Sequence, residues 1–143
     1  MPIVPARPAA HKRPVYFWVD GGMLGPRNPS PEGVFWSVYR HLPSGAERIV
    51  IAREQSKDYT TNNEAEWLAV RAALRFAFKY HVNMKIHIFS DSEVIVNQFA
   101  GRYQCKQPRL QVLARECWAL QREFPECVLS WCPRREMVRR LGH

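Results

Sequence analysis

The sequence predicts an α/β fold with a mixed five-stranded sheet, in which three antiparallel strands precede two parallel strands and helices flank the sheet. Three short apolar segments joined by short turns open the chain, which is typical of an antiparallel meander. The hydrophobic spacing then changes to a helical period, and helices alternate with strands. The predicted order is β-β-β-α-β-α-α-β, and a meander that feeds α/β crossovers builds a sheet of this mixed kind.

The first third of the chain contains the three strands of the meander. In PVYFWVDGG, an apolar and aromatic run lies between Pro14 and the pair Gly21–Gly22, and it predicts a buried strand that ends at Asp20. VFWSVYRHL is the second strand and ERIVIAREQ the third. Ser44–Gly45 forms the hairpin-type turn between them.

Helices and two further strands follow. Apolar residues at helical spacing predict a helix from Asn62 to about Tyr80, and Thr61 begins a capping box in front of it. NMKIHIFSD predicts a strand that ends at Asp91, and SEVIVNQFAG a short helix closed by Gly101. PRLQVLARECWALQREF predicts a longer amphipathic helix and CVLSW the last strand. A final helix starts at Arg134.

The composition predicts one folded domain. The chain has 143 residues, of which 46% are hydrophobic and 24% are charged. We expect residues 14–143 to form that domain and residues 1–13 to be a flexible basic, Pro-rich tail. No apolar run approaches the roughly 20 residues of a membrane span, and the four cysteines match no common zinc spacing. We therefore expect a cytoplasmic monomer with free thiols and no membrane partner.

The charge favours a polyanionic partner. The net charge is +8 and the isoelectric point is about 9.7. Lys and Arg displace the counterions that condense on phosphates, so nucleic acid is the favoured partner, and plain solubility is the alternative. A basic run near the C-terminus either faces phosphate or is simply solvated; it comprises Arg134, Arg135, Arg139 and Arg140.

Three acids are candidates for a metal site. Asp20 and Asp91 each end a predicted strand, and Glu66 lies early in the helix that precedes the second of these strands. If the two strands are neighbours, all three carboxylates meet at one edge of the sheet. Clustered carboxylates repel each other unless a cation neutralises them, and oxygen ligands suit Mg²⁺ or Mn²⁺. The alternative is that Asp20 and Asp91 are turn residues at strand ends.

Three segments resemble type 1 ribonuclease H. They are VDGG around Asp20, TTNNEAEW around Glu66 and FSDSEVIVNQ around Asp91, and the likeness runs from about Tyr16 to Pro133. The resemblance implies a ribonuclease H-like fold and an endonuclease that uses two Mg²⁺ or Mn²⁺ ions to hydrolyse the RNA strand of RNA–DNA hybrids. The short link GRYQCKQPRL indicates the minimal branch of that family, which lacks the basic protrusion.

The resemblance also implies roles for the acids. Asp20 would bridge both ions, and Glu66 and Asp91 would complete the coordination of one of them. All three are therefore predicted to be both metal ligands and catalytic residues. The motif glutamate would also touch an RNA 2′-hydroxyl beside the cut, which would help to select RNA over DNA.

Four further residues are predicted to bind substrate. By match to the family, Asn62 and Asn63 lie near the minor groove of the hybrid; helix capping is the alternative for them. Gly21 lies in the VDGG segment, and Asn28 lies in the loop after the first acid, where the family usually has an Asn-Pro-Gly turn.

The likeness breaks in the last helix. The family pattern W-x-P-R-x-x-N-x-x-A-D begins at Trp131, but Leu141 stands where its aspartate belongs. Glu136 or His143 could substitute as an auxiliary acid or ligand. On a regular helix Glu136 faces about 140° away from position 141, so it serves only if the segment is not a simple helix. Histidine suits Mn²⁺ better than Mg²⁺. The alternative for both is a surface residue.

Three functions remain open. The first is a hybrid endonuclease that needs Asp20, Glu66 and Asp91. The second is a catalytically weak or inactive protein of the same fold that binds nucleic acid, which the missing fourth acid favours. The third is a DNA junction nuclease of the same fold. The intact TTNN-x-AE segment favours the first over the third, and retention of three clustered acids favours the first over the second.

Overall fold

The structure, a computed structural model, describes residues 13–26, 31–54 and 61–141. Nearly all of the predicted tail, Asn28 and His143 lie outside these ranges. The described residues form five strands and four helices, which are β1 (Val15–Met23), β2 (Val34–Leu42), β3 (Gly45–Glu54), α1 (Asn62–Tyr80), β4 (Lys85–Ser90), α2 (Glu93–Phe99), α3 (Pro108–Gln121), β5 (Glu126–Trp131) and α4 (Arg134–Leu141).

The strands form one mixed sheet in the order β3-β2-β1-β4-β5. β1 pairs with β2 and β2 with β3 in the antiparallel sense, whereas β1 pairs with β4 and β4 with β5 in the parallel sense. The predicted fold is confirmed: a three-stranded meander, followed by two parallel strands reached through helical crossovers.

The predicted end of β1 at Asp20 is wrong, because the strand continues to Met23. The parallel pairing of β1 with β4 ends at Trp18 and Phe89, but the antiparallel pairing with β2 continues as far as Met23 and Val34. Hydrogen bonds to β2 therefore keep the backbone extended through both glycines. Asp20 lies within the strand, two residues beyond Trp18, the last residue of β1 that pairs with β4.

The two faces of the sheet pack against different helices. Phe17 and Val19 point into the main core, together with buried residues of α1 and α3. Trp18 points to the opposite face, as alternation along a strand requires. There it packs in a small cluster with Met137 of α4. α4 and the long helix α1 therefore lie on opposite sides of β1.

The helix ends follow the sequence signals. The Thr61 side chain accepts a hydrogen bond from the backbone N–H of Glu64 at 3.2 Å, so Thr61 is the N-cap of α1. Gly101 has a φ of +81°, the left-handed conformation that glycine adopts readily, and it closes α2. The indole N–H of Trp67 in α1 donates to the buried Gln98 side chain of α2 at 3.0 Å, which ties these two helices together.

Two expectations from the composition bear on the described residues. All four cysteines are free thiols, and Cys117, Cys127 and Cys132 are buried. Across the described ranges, no helix has both the length and the apolar character required to cross a membrane.

Candidate active site

Three carboxylates meet at one edge of the sheet. Asp20 lies in β1, Asp91 follows β4 directly, and Glu66 lies one turn into α1. The parallel pairing of β1 with β4 ends at Trp18 and Phe89, and Asp20 and Asp91 each lie two residues beyond that pair, so the register brings the two acids together. One oxygen atom of each carboxylate lies within 4.8 Å of the others. The structure thus brings together the acids that the sequence singled out.

Gly21 allows α1 to approach the sheet closely enough for Glu66 to reach this site. A Cβ atom on Gly21 would lie 2.5 Å from the carbonyl carbon and oxygen of Ala65 and 2.8 Å from the amide nitrogen of Glu66. The Gly21 backbone N–H also donates a hydrogen bond to the Glu66 carboxylate. The absence of a side chain at Gly21 therefore positions Glu66, and a contact between Gly21 and substrate stays a prediction.

Glu66 carries the strongest electrostatic perturbation at the site. Only 3% of the Glu66 surface is exposed. Burial, followed by the nearby charges of Asp91 and Asp20, raises the pKa of Glu66 from 4.5 to about 8. The Gly21 backbone N–H and the Ser90 hydroxyl, which donates at 3.4 Å, partly oppose this rise because they stabilise the charged carboxylate. Without a cation, the site therefore favours a proton on Glu66 at neutral pH.

Arg134 of α4 contacts the two aspartates. Its Nη1 atom lies 3.1 Å from Oδ2 of Asp20 and 3.3 Å from Oδ2 of Asp91. Burial and the Asp20 charge raise the pKa of Asp91, whereas Arg134 acts in the opposite direction. The guanidinium therefore offsets part of the repulsion between the acids.

The residues present fit a hard divalent cation. The donors are carboxylate oxygens, which Mg²⁺ and Mn²⁺ accept. Burial, followed by repulsion among the acids, raises the pKa of Glu66 and that of Asp91, so their surroundings stabilise the charged carboxylates poorly. A divalent cation would relieve that repulsion. Asp20, Glu66 and Asp91 are therefore the residues that could hold it.

Asn62 and Asn63 lie in the first turn of α1. Asn62 is exposed and Asn63 is half-buried. Thr61 is the N-cap of this helix, so Thr61 and not Asn62 or Asn63 has the capping role. The position of both asparagines, one turn before Glu66, is compatible with a substrate contact beside the acids. That contact stays a prediction.

Glu136, one of the two residues proposed to replace the missing fourth acid, forms ion pairs within α4. α4 is a regular helix, and Glu136 accepts hydrogen bonds from Arg139 at 2.5 Å and Arg140 at 3.1 Å. Leu141 is partly buried against the cluster that contains Trp18 and Met137. Among the described residues, the acids that group closely enough to hold a metal do not include Glu136.

The sequence did not predict that Arg134 contacts the acids of the site. It predicted a phosphate-facing or solvated residue, but the structure pairs Arg134 with two acids of the site. The available signal was indirect: Arg134 comes shortly after the last predicted strand, and the structure places that strand beside β4, after which Asp91 follows. Nothing in the local pattern gives the distance between them.

Comparison with known proteins identifies the family. The sequence profile of the family described as "Reverse transcriptase-like" matches residues 42–139, more than half of the 143-residue chain. The bifunctional protein Rv2228c of Mycobacterium tuberculosis is 31% identical over 118 residues, which are 80% of this chain and 30% of that protein. The chain thus spans less than a third of that relative. The ribonuclease HI of Halobacterium salinarum is 33% identical over 105 residues, which are 71% of this chain and 49% of that enzyme.

Solved structures agree with these relatives. The N-terminal RNase H domain of Rv2228c from M. tuberculosis superposes with a TM-score of 0.71 and 26% identity, over 86% of this chain and 89% of that chain. LC11-RNase H1, solved in complex with an RNA/DNA hybrid, superposes with a TM-score of 0.70 and 26% identity, over 88% of this chain and 90% of that chain. The chain therefore belongs to the family of reverse transcriptase-like domains, and within it to the type 1 ribonuclease H family.

Proposed function

We propose that this protein is a ribonuclease H, a divalent-metal-dependent endonuclease that hydrolyses the RNA strand of RNA–DNA hybrids. The observation that carries the proposal is the meeting of Asp20, Glu66 and Asp91 within 4.8 Å at one edge of the sheet. The solved complex of the similar LC11-RNase H1 with a hybrid supports the substrate class. The net charge of +8 supports a nucleic-acid partner.

In this proposal the three acids hold two ions. Asp20 lies close enough to both Glu66 and Asp91 to repel them, which supports a metal site shared by all three acids. Glu66 and Asp91 would be ligands in that site together with Asp20. The bound ions would supply activation of the attacking water and stabilisation of the leaving oxygen. The chain's own task is to hold the carboxylates in place, and the Gly21 N–H and the Ser90 hydroxyl do this for Glu66.

We propose that RNA selectivity depends on the first turns of α1. Asn62 and Asn63 precede Glu66 by one turn, so a strand bound at the acids would pass beside them. Hydrogen bonds to the RNA 2′-hydroxyl distinguish RNA from DNA. The roles of Gly21, Asn28 and His143 in this reaction stay predictions, as do the monomeric state and the cytoplasmic location.

The decisive experiment is cleavage of a labelled RNA–DNA hybrid. Wild type, Asp91→Asn and the matched control Glu123→Gln are compared with Mg²⁺ and Mn²⁺ separately. Glu123 is an exposed acid outside the site, so the control tests the loss of one negative charge without touching the metal ligands. We expect RNA-strand products from wild type and control, and none from Asp91→Asn. Folding of each variant is checked by circular dichroism.

Two results would contradict the proposal. Clear hybrid binding without cleavage under either ion would leave a binding protein built on a nuclease fold. Cleavage of a DNA junction that lacks ribonucleotides, with no action on the hybrid, would indicate the junction nuclease.

A catalytically weak protein is the second candidate, and the C-terminal helix favours it. Leu141 packs against an apolar cluster, and Arg134 places a positive charge on two of the metal ligands. Both features weaken a metal site that already has one acid fewer than the family pattern. A hybrid-binding constant in the presence of metal, set beside a very slow cleavage rate, would support this candidate.

A further inference from the structure

The site acids already have a cation within the chain. The Nη1 atom of Arg134 contacts Oδ2 of Asp20 at 3.1 Å and Oδ2 of Asp91 at 3.3 Å. A single guanidinium nitrogen therefore lies between two carboxylates that are themselves only 15% and 18% exposed. Those same carboxylates are the ones that the proposed function assigns to metal.

The backbone before Arg134 is tied to the strand end that carries Asp91. The N–H of Cys132 donates to the carbonyl oxygen of Ser90 at 2.9 Å, and the indole N–H of Trp131 donates to the carbonyl oxygen of Asp91 at 3.2 Å. These contacts fix the start of α4 beside β4. The Arg134 side chain therefore begins close to the acids whether or not its guanidinium contacts them.

The guanidinium has room to leave the acids. The Arg134 side chain is 54% exposed, although its partners are largely buried. Arg134 lines one cleft together with Asp20 of β1 and Arg48 and Arg53 of β3. A long, half-exposed side chain can turn outward into solvent without exposing a buried surface. The geometry therefore leaves Arg134 room to release the acids.

We propose that Arg134 is an internal counter-cation, which occupies the Asp20 and Asp91 carboxylates in the metal-free protein and competes with divalent metal for them. The proposal rests on the proposed function, since it takes these carboxylates to be the metal ligands. Arg134 has two consequences for the protein. It stabilises the metal-free fold, and it weakens metal binding because a cation entering the site must displace it.

The test measures metal affinity rather than activity. Mn²⁺ is titrated by calorimetry into wild type, Arg134→Gln, Arg134→Lys and the control Arg135→Gln. Arg135 is the next residue of α4 and is exposed. We expect Arg134→Gln to bind Mn²⁺ about tenfold more tightly, which corresponds to about 1.4 kcal/mol. Arg134→Lys and Arg135→Gln should bind within about twofold of wild type, since each keeps a positive charge at position 134.

Thermal unfolding separates this role from a purely structural one. In EDTA, Arg134→Gln should unfold at a lower temperature than wild type, because the acids lose their counter-charge. With saturating Mn²⁺ the difference should disappear, because metal then neutralises the acids in both proteins. A loss of stability of equal size with and without Mn²⁺ would show that Arg134 only holds α4 in place, and would overturn the proposal.

The affinity measurements can also overturn it. Unchanged or weaker Mn²⁺ binding in Arg134→Gln would show that Arg134 does not compete with metal. If Arg134→Gln shows such binding and wild type nevertheless cleaves the hybrid with Mn²⁺, only the counter-cation proposal is overturned. The proposed function then stands. If neither wild type nor Arg134→Gln binds Mn²⁺ while both are folded, both proposals fail.

Discussion

Gly21 lies so close to Ala65 that a methyl group on Gly21 would come within 2.5 Å of the Ala65 carbonyl carbon and oxygen. Both atoms belong to the backbone of α1, which cannot give way as a side chain can. The contact sets the distance between β1 and α1, and with it the reach of Glu66 toward the aspartates.

Gly21→Ala should therefore separate α1 from β1. We expect a loss of about 1–3 kcal/mol in the free energy of unfolding, as for other overpacked contacts. We also expect roughly tenfold weaker Mn²⁺ binding, because Glu66 moves away from Asp20. Chemical denaturation and calorimetry measure the two effects.

Gly22→Ala is the matched control for that substitution. A Cβ atom there would meet the Phe35 ring at 2.7 Å, and a ring can rotate aside. Its Mn²⁺ affinity should stay near that of wild type. Equal losses of affinity in both variants would show that the approach of α1 at Gly21 is not what positions Glu66.

Without metal, the stability of the protein should fall as the pH rises between 6.5 and 8.5. The pKa of Glu66 is raised to about 8 in the folded state from an ordinary value of 4.5, so the folded state binds this proton more tightly than the unfolded state does. That contribution is complete at low pH and is lost as the pH passes the folded-state pKa, at a cost of about 2 kcal/mol across this window. Urea denaturation in EDTA measures it.

Glu66→Gln should flatten this dependence on pH, because the variant has no proton to lose at position 66. His81 and His87 do not account for a slope in this window, since the pKa of each is lowered from 6.5. Glu123→Gln should keep the wild-type slope. An equal slope in wild type and Glu66→Gln would contradict the burial-driven pKa of Glu66.

Leu141→Asp tests what the missing fourth acid costs. The substitution places a carboxylate at a partly buried position against Trp18 and Met137, so we expect a loss of about 1–3 kcal/mol in stability. If the family pattern applies, it should also lower the Mg²⁺ concentration needed for half-maximal hybrid cleavage. Leu141→Asn should cause a similar loss of stability and leave the Mg²⁺ requirement unchanged. An Mg²⁺ requirement that is the same in both variants would show that position 141 does not reach the metal.

Substitutions at Thr61 and Asn63 should distinguish helix capping from substrate binding. Thr61→Ala removes the side chain that accepts the Glu64 N–H, and it should cost about 1 kcal/mol of stability. Asn63→Ala should change stability by less than about 0.5 kcal/mol. It should nevertheless weaken binding of the hybrid more than binding of a DNA duplex of the same sequence, as measured by fluorescence anisotropy. Equal weakening for both duplexes would rule out a contact specific to RNA.

Much of the fold could be predicted because its signals are local. The start of α1 at Asn62, its cap at Thr61 and the closure of α2 at Gly101 depend on residues within one turn of each other. The end of β1 could not be predicted in this way. Hydrogen bonds from β2, which is distant along the chain, carry β1 past Asp20 to Met23.

The candidate site, like the fold, could be predicted from the sequence only in part. The sequence by itself singled out Asp20, Glu66 and Asp91, because their places near strand ends and in the first turns of a helix follow from local patterns and from the family motifs. The tertiary structure decided that β1 pairs with β4, and this pairing brings the acids together. Only the tertiary structure decided that Arg134 donates a hydrogen bond to Asp91, 43 residues away along the chain, and that Leu141 packs against an apolar cluster. Such distances depend on how α4 packs against the sheet, and packing combines contributions from many segments that no local pattern records.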